Sequence, residues 1–229
     1  MEMLNRPWTI SGASGILFVV LFVIGGGISG DMPTYDEGGE EIVAWFADNG
    51  EQYLVGDFIT GLAFILFYFP FLVGLYARLR AAEAEPVVFS RVALIGGILF
   101  PLALLAGTIS LAGVALLEGD VSADVASLAA ATSYHAFVSA SALQAIFLGA
   151  AAIVIIRTGA FWNWLGWLGG AVALAAIVAS AGSIENDPEG ALAVIGFIAF
   201  IGLGVWIIAS SVALLQMRAP AAGPAVTPA

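Results

Sequence analysis

The chain of 229 residues contains no cysteine, no lysine and a single histidine. Without cysteine there is no disulfide framework, iron–sulfur cluster, thiolate nucleophile or cysteine-ligated zinc. Without lysine there is no Schiff base to retinal or pyridoxal and no phosphate-gripping lysine of a Walker loop. One histidine cannot ligate a haem from both sides within a chain, nor build a histidine-rich metal centre. Charge is scarce as well: 10% of residues are Asp, Glu, Lys or Arg, against ~25% in an ordinary soluble domain. What fills the chain is apolar, 61% hydrophobic with a mean hydropathy of +1.04. A water-soluble chain of this size must still cover itself with polar groups, so the composition specifies an integral membrane protein.

Crossing a ~30 Å hydrocarbon core takes about 20 helical residues. Six apolar stretches meet that length, at 10–29, 53–76, 92–116, 136–156, 164–184 and 191–216. The fourth can begin as early as Asp124, since 125–134 is apolar and free of Gly and Pro. Every arginine falls on one side of the resulting bundle. Arg6 precedes the first span, Arg78, Arg80 and Arg91 separate the second from the third, Arg157 follows the fourth and Arg218 the sixth. The opposite loops hold no arginine but many acids: Asp31, Asp36, Glu37, Glu40, Glu41, Asp48 and Glu51, then Glu118, Asp120 and Asp124, then Glu185, Asp187 and Glu189. The positive-inside rule puts the arginine side, and both termini, in the cytoplasm of a plasma-membrane protein. Trp8, Trp162, Trp164 and Trp167 mark the same side as an interfacial belt. The first apolar run is longer than a usual signal-peptide core, which favours a retained span.

The expected architecture is all-α: one antiparallel six-helix membrane domain over 1–218, followed by a disordered Pro/Ala-rich tail at 219–229. The largest loop, 30–52, carries a short amphipathic helix at 40–48, with Ile42, Trp45 and Phe46 on one face and Asn49-Gly50 as its stop. That face either lies on the outer leaflet or docks onto the bundle. A small-residue helix start, an acidic loop and a closing arginine recur three times, which orientation signals alone explain as well as a triplicated hairpin does. Gly166, Gly169 and Gly170 give the fifth span a surface for close helix packing.

Asp57 is the acid placed inside a span, with Thr60 and Gly61 on its helical face and Pro70 lower in the same helix. Intramembrane ionisable groups are costly and by default functional. His135 lies at a similar depth on the fourth span, in a stripe with Thr132 and Ser139; Tyr134, Ser141 and Gln144 point elsewhere. The candidate site is therefore an outward polar pocket of Asp57, Thr60, Thr132, His135 and Ser139, able to hold a cation or pass a proton. No metal site is expected: the acids at 31–41 lack EF-hand spacing and read as a solvated run. Ser14 in Gly12-Ala13-Ser14-Gly15 has the form of a rhomboid-like nucleophile, but most of a bilayer separates it from His135. Val55-Gly56-Asp57 approaches the aspartyl intramembrane protease motif, yet Leu54 replaces its first glycine and no second intramembrane aspartate exists. No catalytic constellation and no cofactor is expected.

Three features carry a resemblance: Phe161-Trp162-Asn163-Trp164-Leu165-Gly166-Trp167-Leu168-Gly169 at the start of the fifth span, Leu75-Tyr76-Ala77-Arg78-Leu79 at the end of the second, and a charged first loop with a short helix. The chain resembles uncharacterised six-helix integral membrane proteins of high-GC bacteria and some archaea, of the domain-of-unknown-function type. The resemblance implies no activity and transfers no site residue. The expected role is a non-enzymatic accessory or scaffold subunit packing through Gly/Ala faces, as a homo-oligomer or with a partner membrane protein. The alternative is a small-solute or ion-handling protein, transporter-like or a sensor, built on Asp57 and His135. A net charge of −11 argues against nucleic acid as a partner.

Overall fold

The computed structural model describes residues 2–117, 120–184 and 187–217, the first five by their backbone. Among the described residues there is no strand, and six helices are long and apolar enough to cross a membrane. They are α1 (Glu2–Ser29), α2 (Gly39–Ala82), α3 (Phe89–Leu116), α4 (Ala123–Thr158), α5 (Asn163–Ser180, closed by a 3-10 turn at Ala181–Ser183) and α6 (Ala191–Leu215). Each helix packs on its neighbour in sequence, and α1 also packs on α6. α4 is the most enclosed: 61% of its most apolar stretch is buried, against 28% for α6. The expected tail at 219–229, together with Arg218, Glu118 and Glu185, lies outside the described residues.

α2 is one rod with a fault in it. It runs as α-helix over Gly39–Ala63, widens to a π turn at Phe64–Tyr68, and resumes as α-helix over Phe69–Ala82. Pro70 supplies the reason: it has no N–H for the carbonyl four residues back, and its ring crowds that carbonyl. The widened turn relieves both conflicts and turns Phe64 and Tyr68 inward, where both are buried. The Tyr68 hydroxyl then donates to the Gly97 carbonyl of α3 at 2.9 Å.

The expected separate helix at 40–48 is instead the first stretch of α2, which continues through Asn49-Gly50 without a break. Neither residue acts as a stop. The Asn49 side chain donates back to the Trp45 carbonyl at 2.9 Å. Gly50 packs directly against the backbone of α3, where an added Cβ would lie 3.1 Å from the Ala115 carbonyl oxygen. The amphipathic face docks on the bundle. Ile42 and Phe46 are 0% and 1% exposed and join Leu111, Val114, Ala126 and Ala130 in a second core at the acidic end. That core is also why α4 starts early, at Ala123. Ser122 caps it by accepting from the Val125 N–H at 3.4 Å.

The larger core fills the rest of the bundle with Phe18, Phe64, Phe71, Phe147 and Trp206, the last bonded from its indole N–H to the Leu165 carbonyl at 3.0 Å. At the arginine end, Glu83 closes the α2–α3 connection. Its carboxylate accepts from the Phe89 N–H at 2.9 Å, the Ser90 N–H at 2.8 Å and the Ser90 hydroxyl at 2.6 Å, so it caps α3 from outside the helix.

Candidate functional site

The five residues of the expected polar pocket have different surroundings. Asp57 is half-buried on α2, and its carboxylate faces the Thr108 hydroxyl of α3. Thr60 sits where α1 crosses, against Gly25. Thr132, His135 and Ser139 share a stripe on α4, but the stripe is exposed. Thr132 bonds back to the Leu128 carbonyl at 2.7 Å, and the His135 ring stands edge-on to Tyr134 at 5.9 Å. Among the described residues, no hydrogen bond or ion pair joins Asp57 to His135.

The physical reason lies in what α4 buries. Its inward positions at the acidic end are Ala126, Ala129 and Ala130, which let α2 and α3 come close. Deeper in, the inward polar groups are Ser141 and Gln144, off the stripe of Thr132, His135 and Ser139. Gln144 is 2% exposed and donates to the Ala199 carbonyl of α6 at 2.9 Å. On a helix with several polar stripes, the polar residues themselves do not say which stripe faces inward. The neighbouring alanines were the available clue.

The glycines of α5 work inside the chain. A Cβ on Gly166 would lie 2.7 Å from the Ile156 side chain, and one on Gly169 would lie 2.8 Å from the Trp206 indole nitrogen. Gly170 is looser, with Ala152 at 3.9 Å. Gly169 thus makes the room in which Trp206 reaches the Leu165 carbonyl.

The surface the sequence did not single out lies between α1 and α6. At the arginine end the two helices touch through small residues. A Cβ on Gly12 would come within 2.7 Å of the Ser211 carbonyl oxygen, and the Ser211 hydroxyl fills the place Gly15 leaves open. Toward the acidic end they part, and Gly26, Gly27 and Gly204 face open space. The result is a crevice of about 530 Å³. Phe18 and Phe22 line one wall, Phe197 and Phe200 the other, with Phe64 of the π turn and Phe100 of α3 behind them. The rings pack on one another: Phe22 and Phe200 lie 5.3 Å apart, Phe18 and Phe64 4.9 Å. Every lining residue is Phe, Val, Leu, Ile or Gly. Such a space binds through shape and apolar contact.

The ends of the bundle differ in chemistry. At the acidic end Tyr35 and Tyr134 pair at 5.3 Å, and the Tyr134 hydroxyl reaches the Asp187 carbonyl at 3.4 Å. Burial, then the charges of Asp36 and Asp187, hold the Tyr35 phenol above its usual pKa. At the arginine end the Arg78 guanidinium donates to the Ala160 carbonyl at 2.8 Å, and that of Arg157 lies 5.6 Å from the centre of the Phe89 ring. Among the described residues no group of three or more metal-ligating side chains converges. No protein-family model, curated protein or solved structure matches the chain.

Proposed function

We propose that this chain is a non-enzymatic accessory or scaffold protein of the plasma membrane whose working surface is the crevice between α1 and α6. In this reading the helices alternate in direction, the arginine end and both termini face the cytoplasm, and the acidic loops face outward. The observation that carries it is the bare backbone of Gly26, Gly27 and Gly204 in a Phe-walled, wholly apolar crevice. Membrane components associate by close packing at small residues, and these three glycines are not used inside the bundle as Gly166 and Gly169 are. The test is a photo-crosslinking amino acid at position 204, in native membranes, compared with one at the lipid-facing Ile109, which is 71% exposed. Position 204 is expected to give a discrete adduct that position 109 does not. Equal, diffuse labelling at both sites would refute the reading.

One observation favours the ion-handling alternative: Asp57 is a half-buried carboxylate within α2, beside Thr108 and near Tyr53. Under that alternative Asp57→Asn abolishes proton or cation flux into proteoliposomes while leaving the melting temperature unchanged. Under the accessory reading the wild type carries no flux for the substitution to abolish.

A further inference from the structure

Resting on the reading of the crevice as the working surface, we propose that it holds one hydrocarbon chain of an outer-leaflet lipid with an amine-bearing, zwitterionic headgroup. Shape is the first argument. The crevice is a wedge closed at one end by the Gly12 and Gly15 contacts with Ser211, so its walls converge. A transmembrane helix is about 10 Å across and cannot follow converging walls to their meeting point, whereas a single chain can. Length is the second. From Gly27 to Phe18 the lining covers the half of α1 nearest the acidic end, about 14 Å at 1.5 Å per residue. Half of a ~30 Å hydrocarbon core is nearly the same distance, the depth one leaflet's chain reaches.

The lining decides what part of the ligand enters. With no polar side chain around it, the crevice gives water nothing to bond and gives a polar ligand atom no partner. The segment inside must therefore be hydrocarbon, packed on the four Phe rings of the walls. The charge at the mouth decides the head. Asp31 follows Gly27 by four residues, and Asp187 and Glu189 lie just before α6, while the loops at this end hold no arginine. An anionic headgroup above the crevice meets only like charge, and an ammonium meets opposite charge. Screening over a Debye length of ~8 Å makes this a preference for the head rather than an absolute selection.

The test uses the full chain in nanodiscs of equal phosphatidylethanolamine and phosphatidylglycerol, with a trace of either lipid carrying a diazirine near its chain end. Adducts are mapped by mass spectrometry in wild type, Gly204→Leu and Gly26→Leu. Both substitutions enter open space, so the fold is expected to survive, checked by an unchanged melting temperature. The proposal predicts adducts concentrated toward the closed end, on Phe18, Val205 and Ile208, about tenfold reduced in each variant, with labelling near Ile109 unchanged. It also predicts more crevice adduct from the ethanolamine lipid than from the glycerol lipid. Labelling spread evenly around the lipid-facing surface, or untouched by either substitution, would overturn it, and so would preference for the anionic lipid. Should position 204 instead capture a protein in native membranes, the lipid assignment fails while the crevice remains the working surface. Should position 204 behave as position 109 does, both fail.

Discussion

Glu83 shows how much one side chain can decide in a membrane protein with few charges. Its burial works against the charge, but the bonds from Ser90 and from the Phe89 and Val88 backbone outweigh that and hold its pKa below the usual glutamate value. A depressed folded pKa means the carboxylate adds stability that is complete above the unfolded value and is lost as pH falls through the folded one. Glu83→Gln is therefore expected to lower stability by about 1 kcal/mol at neutral pH, as losing a helix cap does. The gap from wild type should shrink below about pH 4, as thermal melts across pH in detergent will read. The glycines of α5 give a sharper contrast. Gly169→Ala drives a Cβ against the buried Trp206 indole and should cost about 1–3 kcal/mol, whereas Gly170→Ala meets only Ala152 at contact distance and should be nearly neutral. Equal effects of the two substitutions on the melting temperature would contradict the packing described for α5.

At the scale of elements, what could be read from the sequence depended on how local the cause was. The spans follow from runs of apolar residues, and α6, expected at 191–216, is found at Ala191–Leu215. Pro70 announced trouble in α2, although that the helix would widen rather than bend was not written in the residue itself. The stretch at 40–48 runs on into α2 because Asn49-Gly50 is a stop only when nothing packs against it. Here Ala115 needs the glycine, and the asparagine turns back on its own helix. The inward stripe of α4 is likewise fixed by partners several helices away, which is why Gln144 rather than His135 is buried. The second core makes its own prediction. Gly39 abuts the Ala123 carbonyl, so Gly39→Ala must push the start of α2 away from α4. Amide exchange at 42–49 should speed up severalfold while the amides of α5 and α6 stay protected, as expected of a locally stabilised unit. Gln144→Leu should do little by comparison, about 0.6 kcal/mol, the typical worth of an interhelical bond in a membrane.

For the molecule as a whole, composition alone excluded most chemistry, and the segregation of arginine from acid along the chain organised the rest. The crevice could not be found that way. Phe18 and Phe22 are one turn apart, as are Phe197 and Phe200, and each pair is plain in the sequence. That α1 and α6 close on each other at one end and part at the other depends on which glycine meets which serine across the bundle. An outer-leaflet ligand, a cytoplasmic Glu83 cap and an outward acidic core all stand or fall with the orientation of the bundle. Because the chain has no cysteine, single cysteines can be placed at Asp36 and at Ala84 and labelled in intact cells with a membrane-impermeant maleimide. Cysteine at position 36 should react in intact cells and cysteine at position 84 only after lysis. Labelling of position 84 from outside, with position 36 protected, would reverse the orientation and remove the basis for the lipid proposed at the crevice.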